Sequence, residues 1–316
     1  MQELISITMA TYNGAKYLEE QLDSIYAQTY KNFELIVVDD VSTDETVLIL
    51  EKYKQRFGLK YCVNDENMGV AKNFEKAISK STGKYIALVD QDDIWLSNKL
   101  EVLYKNIGTA SLIYSNAGIV NEKSEQQNKT TEDIYPLYGL DSKTETLYNY
   151  IVLNSFILGC STMFKREILS DLFPIYQTSR NHDWWLSMCA YQKNGIKYIN
   201  DVLFYYRHHD NNYSRQGKKI SFIENVFAFY STKRMMDRKV KIIEQCTIID
   251  HVVNKKWPIS EEESIFLNDM KLFCTSFLTK KVHIKAFLIL CKYRQYMFLN
   301  KNKFKNILQI FSRLIG

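Results

Sequence analysis

Proline and glycine are scarce in this chain, with three and eleven occurrences in 316 residues. A collagen-like repeat and a Pro/Gly-rich linker chain are thereby excluded. The six cysteines (Cys62, Cys160, Cys189, Cys246, Cys274 and Cys291) show no C-x-x-C spacing or close pairing. Reduced, mostly buried thiols of a cytosolic protein are expected. No apolar run approaches the roughly 18 residues that a membrane helix needs. The longest candidate, AFLILC at 286–291, is too short. The N-terminus has no basic segment leading an apolar stretch, so no secretory signal is expected there. Neither a G-x-x-x-x-G-K-[ST] loop nor a G-x-G-x-x-G turn occurs, which disfavours P-loop nucleotidases and dinucleotide folds. Acidic residues are missing from Lys280 to Gly316, where nine Lys/Arg fall; the net charge of +5 leaves −4 for the remainder.

What is present describes a packed globular protein: 46% hydrophobic, 24% charged, and 14% aromatic with 22 tyrosines. The length suits one large domain and an appendage. LISITMA (4–10), FELIVV (33–38), LKYCVN (59–64) and KYIALVD (84–90) read as short, apolar, β-rich runs. Between them lie helical patterns: KYLEEQLDSIYAQT, with Leu18, Leu22, Ile25 and Tyr26 on one stripe; a segment from a Ser42–Glu45 capping box to about Phe57; and VAKNFEKAISK. Continuously apolar strands alternating with helices predict an α/β fold with a parallel sheet covered on both faces. SLIYSNAGIV (111–120) reads as a further strand and 121–133 as a polar loop. A helical stretch then runs to about Asn154. ILGCSTMFKREIL follows as a strand entering a helix, WWLSMCAYQ as a buried helix and KYINDVLFYYR as paired short strands. Beyond about Ile220 the period is helical throughout.

Ligands bind at the carboxyl ends of strands in such sheets. Here those ends carry Thr11-Tyr12-Asn13, Asp39-Asp40, the segment from Asn67 to Gly69, and Asp90-Gln91-Asp92-Asp93. An Asp-Asp pair at a strand end serves equally well as a helix cap or an Asx turn. The stretch LVDQDDIW (88–95) is more demanding, because three carboxylates in four positions raise one another's pKa unless a cation or strong donors offset them. A hard divalent cation with oxygen ligands meets that need, and Mg2+ commonly bridges a carboxylate to substrate phosphates.

ITMATYNG, FELIVVDDVSTDET, NMGVAKNFEKAI and GKYIALVDQDDIW, in that order, resemble the successive blocks of family 2 glycosyltransferases. HDWWLSMCAYQ and YYRHHDNNYS are similar to the family's second half, and D-x-D-D-I-W with H-D-W-W is similar to bacterial rhamnosyltransferases of O-antigen and cell-wall polysaccharide synthesis. The resemblance implies a GT-A fold, Rossmann-like with a mostly parallel central sheet, and an inverting transfer from a dTDP- or UDP-sugar with Mn2+ or Mg2+. It assigns Asp92 as metal ligand and Asp90 to the metal or the ribose. Asp93 goes to the donor sugar or the acceptor, Asp40 with Asp39 to the base, and Thr11, Tyr12 and Asn13 to base and ribose. Asn67 and Gly69 are to close over the nucleotide, Gly69 by allowing close backbone approach. Asp183 matches the catalytic base; its neighbours Trp184 and Trp185 serve as core or stack a sugar ring. His209 fits a third metal ligand or a diphosphate contact, and Arg207 a phosphate partner.

These readings put a catalytic domain at 1–218, with a nucleotide-binding half (1–100) and an acceptor-binding half (101–218), and a helical region at 219–316. In KFKNILQIFSRLIG, Phe304, Ile307, Leu308, Phe311, Leu314 and Ile315 share a stripe with Lys303, Lys305 and Arg313 outside it. Such a basic amphipathic helix lies on an anionic membrane surface or packs on the domain. The acceptors implied by the resemblance are lipid-linked saccharides on the cytoplasmic leaflet, so a cytoplasmic, peripherally attached protein is expected. Nucleic acid is not, since aromatic and basic residues do not alternate. The rival readings are a sugar nucleotidyltransferase, which would need a glycine-rich basic loop after the first strand, and a non-catalytic binding subunit of the same fold.

Overall fold

The computed structural model describes residues 2–135, 138, 139, 157–175, 182–209, 247–250, 252–255, 257, 259–278 and 292. Four parallel strands open the chain: β1 (Ile5–Thr11), β2 (Phe33–Asp39), β3 (Lys60–Val63) and β4 (Tyr85–Val89). They alternate with α1 (Ala15–Tyr26), α2 (Thr46–Phe57) and α3 (Val70–Ser79). Ile5 lies opposite both Phe33 and Tyr85, and Thr11 opposite Asp39. The carboxyl ends of these strands therefore finish along one edge. After β5 (Ile94–Trp95) come α4 (Lys99–Asn106), β6 (Leu112–Val120), β7 (Gln126–Thr130), α5 (Thr131–Ile134), β8 (Thr162–Lys165), α6 (Leu169–Leu172), α7 (His182–Lys193) and β9 (Ile196–Arg207). The sheet order is β3-β2-β1-β4-β8-β6-β9-β5, with β7 paired to β6. The result is the expected α/β, GT-A-like architecture, mixed where β8, β5 and β7 run antiparallel to their neighbours.

Six of the seven residues of β1 are buried, Ser6 and Thr8 among them, as expected of a strand covered on both faces. The buried stripe of α1 contains Leu18, Leu22 and Ile25 at helical spacing, while Tyr26 stays half-buried and stacks on Phe57 at 4.1 Å. Gly58, at φ 70, terminates α2 in the left-handed conformation that glycine adopts without a Cβ penalty.

Three local readings are corrected. The Ser42–Glu45 capping box does not form. The Ser42 hydroxyl instead donates to Asp39 Oδ2 (2.6 Å), and it is Asp44 that accepts from Thr46 N at the start of α2 (3.0 Å). Residues 126–130 of the polar loop form the edge strand β7; backbone pairing to β6 suffices there, and its first four side chains stay exposed. The stretch at 196–207 is one strand rather than two. Its turn-like Asn200-Asp201 is accommodated as an irregularity against β6, where Asn116 Nδ2 donates to Asn200 Oδ1 (3.0 Å).

The chain divides into two compact units, residues 1–144 with 155–210 and residues 145–154 with 211–316; the break read from the sequence lies at 218. In the second unit α8 (Glu261–Leu278) buries Phe266, Leu267 and Met270, and Ile248, Ile249 and Val252 are also buried. No helix among the described residues is long and apolar enough to cross a membrane. The helical stretch read up to Asn154 and the basic tail at 303–315 lie outside the described residues.

A Cβ at Gly83 would fall 2.6 Å from Ser6 N and 2.7 Å from Leu4 O, backbone atoms that cannot turn aside. Gly83→Ala is expected to destabilise the domain by about 1–3 kcal/mol, read as a lowered midpoint in urea unfolding at unchanged slope.

Candidate active site

The tips of β1, β2 and β4 are bound to one another through side chains that the turns themselves supply. Gln91 accepts from Tyr12 N through Oε1 (2.9 Å) and donates to Tyr12 O through Nε2 (3.1 Å), joining the end of β1 to the loop after β4. Asn13 N donates to Ser42 Oγ (2.8 Å), and Asn13 Oδ1 accepts from Thr43 N (2.8 Å). Both joints are bent into left-handed backbone: Asn13 has φ 48 and Val41 φ 65. Asparagine tolerates this region, but a β-branched valine there costs on the order of 1–3 kcal/mol. Strain of that size is what the surrounding hydrogen bonds must hold in place.

Asp39 and Thr11 were expected to touch the nucleotide, and the structure turns both inward. Asp39 is 0% exposed and accepts from Thr11 Oγ1 (2.8 Å), Ser42 N (2.8 Å) and Ser42 Oγ (2.6 Å); Thr11 is 1% exposed. In this arrangement both side chains brace the turn. Asp40 Oδ1 accepts from Asn64 Nδ2 (2.7 Å) and Met68 N (2.9 Å), and its Oδ2 accepts from Gly69 N (2.8 Å), which leaves Oδ2 capacity for a further donor. Asn67 donates weakly to Asp40 O (3.4 Å). Gly69 carries a backbone reason of its own to be glycine, beside the expected approach to a nucleotide. Its φ is 82, and a Cβ there would meet nothing within 4 Å. Tyr12, half exposed, presents its ring at this rim.

Asp90 and Asp92 are half-buried and Asp93 is fully buried. Burial, then the charge of Asp92, pushes the Asp90 carboxyl up to about 7, and Asp183 adds to the effect, so these three acids share one electrostatic neighbourhood. Burial, with the charges of Asp92 and Asp90, also raises Asp93, whose Oδ2 has no hydrogen-bond partner. Asp92 Oδ2 lies 2.8 Å from His209 Nε2, with both side chains still partly accessible. Oxygen and imidazole donors beside crowded acids are the chemistry of a hard divalent cation such as Mn2+ or Mg2+. Asp90, Asp93 and Cys160 form a second, deeper cluster, with ligand atoms within 4.8 Å of one another. Lys99 stands close to it: fully buried, its Nζ donates to Cys160 O (2.7 Å) and lies 4.1 Å and 4.0 Å from the Trp95 and Phe204 rings.

Asp183 occupies the first turn of α7, 7% exposed, and accepts from Trp184 N (2.7 Å). Trp184 and Trp185 are core, the latter donating to Leu172 O (2.9 Å). Beside Asp183, Gly159 packs so close that a Cβ would come within 3.2 Å of His182 Nε2 and 3.6 Å of Asp183 Cβ. Arg207, expected to pair with phosphate, is 0% exposed; its guanidinium is committed to protein groups beneath the Asp92 loop, where a ligand cannot reach it.

Sequence reasoning missed Gln91, Lys99 and Cys160. Lys99 had one signal: it is the first residue of α4, where a cation opposes the helix dipole, so another charge must hold it. Gln91 and Cys160 carried none.

His182 stacks on Phe74 at 4.2 Å, its Nε2 buried without a partner, and burial pushes its pKa down from 6.5 to about 4. A base depressed in the folded state contributes stability above pH 6.5 that is lost as pH falls from 6.5 towards 4. The unfolding free energy of the wild type minus that of His182→Phe is expected to fall across that window by up to about 3 kcal/mol; parallel curves from urea titrations at each pH would contradict this.

A sequence model described as "Glycosyl transferase family 2" matches residues 6–173. The chain is 30% identical to the Bacillus subtilis putative teichuronic acid biosynthesis glycosyltransferase TuaG, over 70% of this chain and 86% of that one. It is 32% identical to the Escherichia coli UDP-Glc:alpha-D-GlcNAc-diphosphoundecaprenol beta-1,3-glucosyltransferase WfgD, over 62% and 73%. Among solved structures, S. aureus TarS in complex with UDP-GlcNAc superposes with a TM-score of 0.59 at 18% identity, covering 93% of this chain and 81% of that one. The mannosyltransferase PcManGT from Pyrobaculum calidifontis, in complex with GDP-Man and Mn2+, does so with a TM-score of 0.56 at 17% identity, over 99% and 81%.

Proposed function

This chain belongs to glycosyl transferase family 2 and is a glycosyltransferase, and from that premise we propose that it is an inverting, divalent-metal-dependent enzyme acting on a nucleoside-diphosphate sugar and a lipid-linked saccharide. The observation that carries the reading is the meeting of Asp90, Asp92, His209 and Asp183 at the carboxyl edge of the sheet. Asp92, His209 and Asp90 would hold the ion, whose chemistry is to neutralise a diphosphate. Tyr12 and Asp40 would take the base, Asn13, Asn67 and Gly69 the ribose side, and Asp93 would lie under the donor sugar.

In the reaction the acceptor hydroxyl oxygen attacks the anomeric carbon, Asp183 takes its proton, and the sugar–phosphate bond breaks with its electron pair leaving on the nucleoside diphosphate. Asp183 sits 7% exposed in the first turn of α7, so little bulk water would compete with the acceptor hydroxyl for its carboxylate. UDP-hexoses are the first donors to try, since the names of WfgD and of the TarS complex carry uridine sugars; dTDP-rhamnose, suggested by the D-Q-D-D-I-W and H-D-W-W blocks, is the second. WfgD's name also carries a diphosphoundecaprenol-linked acceptor, which supports a lipid-linked acceptor here and gives the basic tail a surface to meet.

The test is transfer from a panel of UDP-, dTDP- and GDP-sugars to a polyprenyl-diphosphate saccharide, with Mn2+ or EDTA. Asp183→Asn is expected to lower kcat by about 10²–10⁴ while still binding donor. Asp92→Asn should abolish metal-dependent transfer. Full turnover by either variant, or formation of nucleotide sugar from sugar 1-phosphate, would remove the assignment.

A further inference from the structure

Arg207 is among the largest fully buried side chains of the described protein, and it ends β9 directly under the D-Q-D-D loop. Its Nε donates to the carbonyl oxygen of Asp92 (2.7 Å), and its own backbone N–H donates to Asp93 Oδ1 (3.2 Å). One NH2 donates to Glu20 Oε2 on α1 (2.6 Å); the other donates to Ser124 Oγ (2.9 Å) and Asn121 O (3.3 Å) in the β6–β7 turn. The guanidinium lies 4.6 Å from the ring of Tyr17, which in turn lies 5.0 Å from the ring of His209. Two residues further on, His209 meets the Asp92 carboxylate. The end of β9 therefore grips Asp92 twice, by its backbone through Arg207 and by its side chain through His209. Ser124 also donates to both carboxylate oxygens of Glu20 (3.0 Å each), so α1 and the β6–β7 turn are closed on each other around the guanidinium.

We propose that Arg207 is a positioning residue. Held by Glu20, Tyr17 and Ser124, it sets the height of the Asp92 backbone, and thereby the place at which the Asp92 carboxylate meets a divalent ion. The inference rests on the reading of Asp92 as a ligand of that ion. A guanidinium suits the task because its planar fork addresses several acceptors in different directions and keeps its charge at every working pH; a lysine ammonium at the end of a flexible stem does neither, so Arg207→Lys is not a conservative change. Glu20 is exposed enough at its side chain (43%) for its amide to fold normally.

Mn2+ binding, followed by electron paramagnetic resonance of the free ion without donor or acceptor, tests this apart from turnover. Arg207→Lys is expected to weaken Mn2+ binding by about 10–100-fold, as loss of an outer partner of a metal ligand does. Glu20→Gln should weaken it in the same direction and by less. A role in stability alone would lower the melting temperature of Arg207→Lys and leave Mn2+ affinity of the folded protein unchanged, which overturns the proposal. Should Arg207→Lys not fold, Glu20→Gln decides: weaker binding supports the role and unchanged binding ends it. Asp92→Asn is the reference. If it too binds Mn2+ like the wild type, the ligand assignment fails. If it alone loses the ion, only the positioning role falls.

Discussion

Three carboxylates within four residues repel one another, and the part of the molecule around residues 90–93 is arranged to hold them together regardless. Burial alone would drive protons onto Asp90 and Asp93, as the upward displacement of both shows. Basic side chains converge from three directions: Lys99 beneath, Arg207 under the Asp92 carbonyl, and His209 at the Asp92 carboxylate. None of these lies in the loop itself. Lys99 begins the following helix, while Arg207 and His209 come from the end of β9, more than a hundred residues along the chain. The loop's geometry is thus a property of the whole first unit.

The parallel half of the sheet supplies the edge on which this happens. Because β1, β2 and β4 run in register, their carboxyl ends stop together, and each hands a polar turn to the same rim. The turns are bent more sharply than most side chains allow, with Val41 and Asn13 in left-handed backbone, and they stay bent because Asp39, Ser42, Thr43 and Gln91 fasten them to one another. An apolar core that spans β1, β2, β4 and β6 makes the platform stiff enough to carry that strain.

Much of this was legible in order along the chain. The alternation of apolar strands with amphipathic helices, the four polar strand ends and the acidic loop could be read directly, since burial on both faces and helical period leave local marks. Legibility failed where a residue's role depends on a distant partner. Asp39 and Asp40 are adjacent, identical and both buried, yet Asp39 is held by Thr11 and Ser42 while Asp40 accepts from Asn64 and the backbone of Met68 and Gly69; the partners come from separate segments that the sequence pattern does not bring together. Arg207 was expected as a phosphate partner from the resemblance of its segment to the family. Only its enclosure by Glu20, Tyr17 and Ser124 reveals a different task. Gly69 was expected to be glycine for close approach to a nucleotide; its positive φ is a separate reason that only the folded backbone shows.

By itself, then, the sequence determined the fold class, the family, and the fact that acids and polar turns meet at strand tips, because periodicity, apolar runs and motif order are carried by neighbours a few positions apart. Tertiary structure decided which of those acids turn inward, which meet a histidine, and what keeps three of them in one loop. Those outcomes depend on charges brought near from β9, α1 and α4, and electrostatic energy depends on distance in space and on burial, neither of which a linear chain records.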